Sequence, residues 1–231
     1  MAKQDINTPP AHHELVLDGQ GWVGLLEAMG TEASVVNAAR VSMGKCKPTM
    51  DDGDVRLLRY LLAHQHTSPF EHVVFTFVVH CPLFVRSQWH RHRTWSYNEI
   101  SRRYTETDVQ FYVPPVVREQ AVSNRQASIA PVHLDQPACR ELIKAQNEAA
   151  LAVYRRLLDL GVCREQARGV LPQNLMTTFW ATVDLHNLLA FLRLRDADEA
   201  QWEIRQYAVA IKRLVRPRLP RLADVLGWKD A

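Results

Sequence analysis

Apolar positions along this chain recur in two rhythms, and the alternation between them predicts the elements. Val55, Leu58, Leu61 and Leu62 fall at helical spacing, giving an amphipathic helix from Asp54 to about His64. Leu142, Ala145, Ala149, Ala152 and Leu157 mark a long helix between Asp135 and Leu160. Ile204, Tyr207, Ala208, Ile211 and Leu214 share one face of another, from Glu199 to Val215, which Pro217 and Pro220 bring to an end. Thr31 to Ser42 reads as a helix with Thr31 as its N-cap. Shorter helices are expected over Leu83 to about His92, from Cys163 until Pro172, and over His186 to Arg195. Pro82 suits the start of the first of these, where its missing N–H costs nothing.

The second rhythm belongs to strands. His72 to Val79 and Met176 to Val183 are rich in β-branched and aromatic residues, the mark of strands buried on both faces or inside an oligomer, and Glu14 to Asp18 alternates like a short strand. Residues 1–13, polar and carrying Pro9-Pro10, are expected to be a mobile tail before a single domain over 14–231, with 119–130 a surface loop. Few strands between unequal helical blocks do not give the βαβ rhythm of a doubly wound sheet, and no G-x-G-x-x-G follows any strand. The expectation is an α+β fold, mixed helices around a small, mainly antiparallel sheet.

Composition narrows the class. With 231 residues and 47% hydrophobic positions the chain buries a substantial core, which excludes wholesale disorder. The longest apolar run, Val73 to Val85, is interrupted by Thr76, His80 and Pro82 and is shorter than the roughly 20 residues a membrane helix needs. The first residues show no export signal, so a cytoplasmic protein is expected. Cys46, Cys81, Cys139 and Cys163 are scattered singly, as reduced and mostly buried thiols would be.

Charge is concentrated. The net value is only +3, yet residues 86–103 hold five arginines and one acid, Glu99, leaving the remainder of the chain at −1. Binding to long nucleic acid favours basic residues spread over a face, because affinity grows with the phosphates neutralised. A compact cluster of guanidinium groups instead suits one small anion held by bidentate contacts. The stretch Gln88 to Tyr104, QWHRHRTWSYNEISRRY, adds Ser96 and Ser101 as phosphate ligands, Asn98 and Glu99 to read a heterocycle, and aromatics for stacking. With no glycine-rich phosphate loop, side chains must grip any nucleotide.

Arg91-His92-Arg93, seven intervening residues and Ser101 resemble the R-H-R-x7-S signature of flavin-dependent thymidylate synthases, and Ser96, Asn98, Glu99 and Arg103 match as well. The run His66-Thr-Ser-Pro-Phe-Glu71-His is similar to that family's flavin-contacting loop. Later blocks follow in order: Arg168-Gly-Val-Leu-Pro-Gln-Asn-Leu, Asp184-Leu-His-Asn, Phe-Leu-Arg-Leu-Arg195 and Ala200-Gln-Trp-Glu-Ile-Arg-Gln-Tyr-Ala208. The resemblance implies methylation of dUMP to dTMP, with 5,10-methylenetetrahydrofolate as carbon donor and FAD as redox cofactor. NADPH is the implied reductant, and the assembly a homotetramer with sites at subunit interfaces.

By the same resemblance, His66, Ser68, Glu71, Arg91, His92, Arg93, Glu99, Asp184 and His186 fall to the flavin. Gln88, Trp89, His90, Arg91, Glu99, Ser101, Arg102, Arg103, Arg168 and Arg195 fall to dUMP, with Ser101 and Arg103 given to a neighbouring subunit and Arg195 to activating the uracil ring. Ala190 departs from the pattern, standing where Asn or His would touch the adenosine half of the flavin.

Rival readings have less behind them. His64/His66 and His90/His92 are i, i+2 pairs that would diverge on a helix, and no H-E-x-x-H occurs, so no metal site is expected. Cys81 is the one thiol near the motif, and its place at a strand end argues for burial rather than attack on uracil. Trp89, Trp95 and Trp180 fit either stacking or the core. A module binding RNA or single-stranded DNA would need basic residues elsewhere.

Overall fold

The computed structural model describes residues 6–106, 108–122 and 127–228. Residues 1–5 of the expected tail and 123–126 of the expected loop lie outside the described residues. The strands are β1 (His13–Val16), β2 (Gly21–Met29), β3 (Val74–Pro82), β4 (Ser96–Glu99), β5 (Glu119–Gln120), β6 (Ser128–Ile129) and β7 (Met176–Asp184). The helices are α1 (Glu32–Arg40), α2 (Asp52–Ala63), α3 (Leu83–Trp89), α4 (Gln136–Asp159), α5 (Arg164–Ala167), α6 (Leu185–Arg195), α7 (Trp202–Val215) and α8 (Pro220–Val225). Five strands make one antiparallel sheet in the order β1-β2-β3-β7-β4, and β5 and β6 form a separate hairpin. This is the expected mixture of helices around a small antiparallel sheet.

The two strands expected from their apolar runs, β3 and β7, lie side by side from Val74 against Asp184 to Pro82 against Met176. Side chains alternate across a sheet. Phe75, Phe77, Val79 and Cys81 therefore share one fully buried face with Phe179, Ala181 and Val183, under Leu188 and Phe191 of α6 and Ile204, Tyr207 and Ile211 of α7. On the other face Thr76 and Thr182 share a hydroxyl hydrogen bond at 3.0 Å, and Trp180 is 49% exposed.

Four strands escape the pattern reading: β2, β4, and β5 and β6, whose hairpin lies within the segment expected as a surface loop. β2 follows a turn in which Leu17, Asp18 and Gly19 all take positive φ, and it pairs with both β1 and β3. β4 lies within the arginine-rich segment itself and pairs with β7 as an edge strand. The chain before β1 is not a free tail over its whole length. The Leu25 amide donates to the His12 carbonyl at 3.0 Å, and a Cβ on Gly24 would lie 2.2 Å from Cγ of Pro10, so glycine lets this segment lie flat on the sheet.

The helix ends also differ in places. Pro220 opens α8 rather than closing the preceding helix, and the Glu32 carboxylate accepts from the Leu222 amide at 2.9 Å there. Burial raises the Glu32 pKa. Arg40 and Asp54 form a buried ion pair between α1 and α2. Of the cysteines only Cys81 is fully buried; Cys46 and Cys163 are exposed, which corrects the expectation of mostly buried thiols.

Candidate active site

The site begins where α3 leaves the core. Trp89 is fully buried, with ring centroids 4.8 Å from Phe191, 5.5 Å from Phe179 and 5.8 Å from Tyr207. Successive helical residues point about 100° apart. With Trp89 turned into the core, Gln88 stays half-exposed at the rim, so Trp89 is corrected from nucleotide ligand to anchor. Trp95, also buried, packs edge-on against it at 5.9 Å.

The helix stops at Trp89 rather than running to His92. Arg91, His92 and Arg93 therefore sit on a turn, with the Tyr97 hydroxyl within hydrogen-bond reach of the carbonyls of Trp89 (3.1 Å) and His92 (3.0 Å). The turn presents its residues out, in, out: Arg91 and Arg93 are exposed, whereas His92 is half-buried with its ring edge-on to Phe191 at 4.9 Å. Because neither pair lies inside a helix, the geometric reason first given against a histidine metal site does not apply. Among the described residues, nevertheless, no cluster of His, Cys, Asp and Glu could hold an ion.

Arg195, the last residue of α6, closes over this turn. Its Nε donates to His92 Nε2 at 3.1 Å and its Nη2 to the Gln88 carbonyl at 3.0 Å. Both acceptors are neutral. Burial, and after it the Arg195 charge, lowers the His92 pKa to about 4, so the ring carries its proton on Nδ1 and accepts at Nε2. The guanidinium is half-buried, and among the described residues no carboxylate pairs with it. A desolvated cation on neutral supports is poised for an anion, or for a ring that becomes one.

The other nominated residues separate into groups. His90 stacks on Tyr97 at 4.1 Å, and burial followed by Arg86 depresses its pKa to about 4. Glu99 accepts from the Thr177 hydroxyl at 2.7 Å and pairs with Arg86 at 3.2 Å. Arg102 is buried and donates to the Asp108 carbonyl at 3.0 Å. Its guanidinium thus ties down the loop that follows β4. Ser101 Oγ accepts from the Arg103 amide at 3.2 Å, and Arg103 pairs with Glu165 at 3.4 Å, close in sequence to the exposed Arg168. Among the described residues no hydrogen bond or ion pair joins Ser101 or Arg103 to Gln88, His92 or Arg195.

A cavity of about 640 Å³ brings together His66 and Thr67 of the early loop with His186 and Ala190 of α6, walled by Lys212 and Trp228. Its volume lies within the range of small-molecule sites. Ser68 and Glu71 are exposed on the adjacent 3-10 turn, Ser68–His72. Asp184 faces inward to the backbone: it caps α6 by accepting from the Asn187 amide at 2.9 Å and from the Asn187 side chain at 2.6 Å. That carboxylate serves the helix start, one bond to each oxygen. Gln201, Glu203, Thr177 and Arg118 adjoin the site without having been nominated. The first two stand inside the block Ala200 to Ala208, so its resemblance was a signal for them.

The family model described as thymidylate synthase complementing protein matches residues 24–221. A flavin-dependent thymidylate synthase of Thermus thermophilus is 53% identical over 213 residues, covering 92% of this chain and 76% of that one. Another, of Thermosipho melanesiensis, is 45% identical and covers 89% of each chain. Among solved structures, a UMP/dUMP methylase, PolB of Streptomyces cacaoi bound with 5-Br dUMP, superposes with a TM-score of 0.81 at 33% identity, covering 90% of this chain and 94% of that chain. The chain belongs to the flavin-dependent thymidylate synthase family of enzymes.

Proposed function

We propose that the protein converts dUMP to dTMP, with 5,10-methylenetetrahydrofolate giving the carbon, NADPH the two electrons, and tetrahydrofolate and NADP⁺ leaving. The observation that carries this reading is Arg195, a half-buried guanidinium held by His92 and the Gln88 carbonyl with no carboxylate partner among the described residues. C5 of uracil becomes a better nucleophile when negative charge on the ring is stabilised. A planar cation that does not deprotonate can hold the ionised N3/O4 edge, and burial strengthens that hold. Gln88, Ser101, Arg103 and Arg168 bind the rest of the nucleotide, Ser101 and Arg103 reaching a neighbouring subunit's site.

The size of the cavity and its lining by both His66 and His186 support FAD as its occupant, and Arg91, Arg93, Ser68 and Glu71, outside that lining, are the further ligands in this reading. When bound it carries reducing equivalents between NADPH and the one-carbon unit. Ala190 offers it no polar atom, so His186 bears more of the contact. The proposed assembly is a homotetramer, for which the half-exposed Trp180 on the open sheet face is support. Among the described residues no helix is long and apolar enough to cross a membrane. We place the enzyme in the cytoplasm, acting on a free nucleotide rather than on nucleic acid.

The test is the visible spectrum of the purified protein with FAD, then with dUMP, followed by mass detection of dTMP once NADPH and methylenetetrahydrofolate are added. A flavin band that shifts with dUMP, and dTMP formation dependent on both co-substrates, bear the proposal out. A protein that refuses FAD and shifts on single-stranded DNA or RNA overturns it.

A further inference from the structure

We propose that Gln201, Glu203 and Arg118 are positioning residues that fix the Gln88 amide for the nucleotide, through a polar line from the β5–β6 hairpin to the Gln88 side chain. The inference rests on the reading of Gln88 as a dUMP ligand. Ser128 Oγ of the hairpin accepts from Arg118 Nε at 2.8 Å, and Arg118 Nη2 reaches both carboxylate oxygens of Glu203, at 3.0 and 2.9 Å. Glu203 Oε2 accepts from Gln201 Nε2 at 2.9 Å, and Gln201 Oε1 accepts from Gln88 Nε2. The main-chain carbonyl of the same residue separately accepts from Arg195.

The polarity of this line is dictated by its carboxylate. An ionised Glu only accepts, so Gln201 must turn its NH₂ toward Glu203 and its oxygen toward Gln88. Gln88 in turn must give that oxygen one N–H, which fixes the plane of its amide and aims its own oxygen and its remaining N–H. Gln201 occupies the N-cap position of α7, where a side chain ordinarily serves the first helical amides, yet it makes no cap bond and its amide is directed sideways instead. Glu203 is 4% exposed, and a buried charge demands a partner, which Arg118 provides from a segment otherwise remote from the site. The Arg118 guanidinium lies 5.1 Å over the Trp202 ring, between the two ends of the line. The hairpin thus has a role: it seats the arginine that pairs with the buried Glu203 and orients its carboxylate.

The test compares the FAD-loaded wild type with Gln201→Met, which keeps shape and loses the relay, and with the swap Gln201→Glu plus Glu203→Gln. In the swap the carboxylate at 201 accepts from Gln88 and from the amide at 203, whose oxygen keeps one of the two Arg118 contacts, so the link from Arg118 to Gln88 and the total charge persist. Gln201→Met is expected to raise KM for dUMP about tenfold, the equivalent of one hydrogen bond, with a smaller change in kcat and with flavin content and Tm held. The swap is expected to bring KM back to within about threefold of wild type, since the hydrogen bond that orients the Gln88 amide is restored. An unchanged KM in Gln201→Met, or a folded swap that stays as impaired as the single variant, overturns the proposal. Failure of the functional reading is seen separately, as a wild type that does not turn over dUMP.

Discussion

Arg195 donates its Nε–H to His92 Nε2 at 3.1 Å, so a cation leans on an imidazole that must stay neutral to receive it. Burial is the larger reason for neutrality and the Arg195 charge the second, and together they bring the His92 pKa from 6.5 to about 4. An NMR titration of the imidazoles is expected to show His92 unprotonated down to about pH 4. Arg195→Ala should raise that value only part of the way to 6.5, because burial remains. Stability follows by linkage. Between pH 6.5 and 4 the unfolded chain takes up a proton that the folded ring refuses, so stability falls as pH falls through this window. Denaturation midpoints at pH 7 and pH 5 read the slope, and His92→Gln should reduce it.

The fork geometry of Arg195 separates charge from shape. One arm holds His92, another the Gln88 carbonyl, and among the described residues Nη1 takes no partner. Arg195→Lys keeps a cation but cannot serve two supports and a ligand at once, and burial would tend to discharge it. We expect dTMP formation to fall on the order of a hundredfold, the usual loss for a group that stabilises developing charge. FAD absorbance should persist, since the cavity holding His66 and His186 does not include this side chain. Near-normal turnover in the lysine variant would remove Arg195 from the role of ring activator.

Much of this was legible because the informative residues sit in apolar runs or dense motifs. β3 and β7 could be found because each is rich in β-branched and aromatic residues, and the α2 and α7 stripes because their period is helical. β2 was missed although its cue was present: Asp18-Gly19 between two apolar stretches is a hairpin signal, and the turn indeed takes positive φ there. β4 was hidden by its own polarity, since an edge strand with Ser96, Asn98 and Glu99 carries no buried period. Within the site, the motif located the turn but not its directions. Which of Gln88, Trp89 and His90 faces the ligand depends on where α3 meets Phe179 and Phe191, and that is tertiary information.

The contrast between Gln88 and Trp89 tests this division directly. Trp89→Ala empties a fully enclosed aromatic position and should cost about 3–5 kcal/mol of stability, as large-to-small core changes do. Gln88→Ala removes a rim side chain and should cost about 1 kcal/mol or less while raising KM for dUMP. Urea denaturation and steady-state kinetics on the two variants are expected to show opposite profiles. A stable Trp89→Ala with selectively weakened dUMP binding would return the indole to the ligand.

Cys81 offers the sharpest separation from the other chemistry by which uracil is methylated, attack on C6 by a cysteine. Its thiol is fully buried on β3, and burial, followed by the Glu99 charge, pushes its pKa well above the ordinary value. Only a thiolate attacks, and this environment suppresses it. In the folded protein Cys46 and Cys163, both exposed, should react with an aromatic disulfide reagent, whereas Cys81 should react only after unfolding. Cys81→Ala should keep dTMP formation within about threefold of wild type, the loss expected from slightly looser packing rather than a missing nucleophile. Abolished turnover in a variant that still folds and still carries FAD would make Cys81 the attacking group and displace Arg195 from the centre of the mechanism.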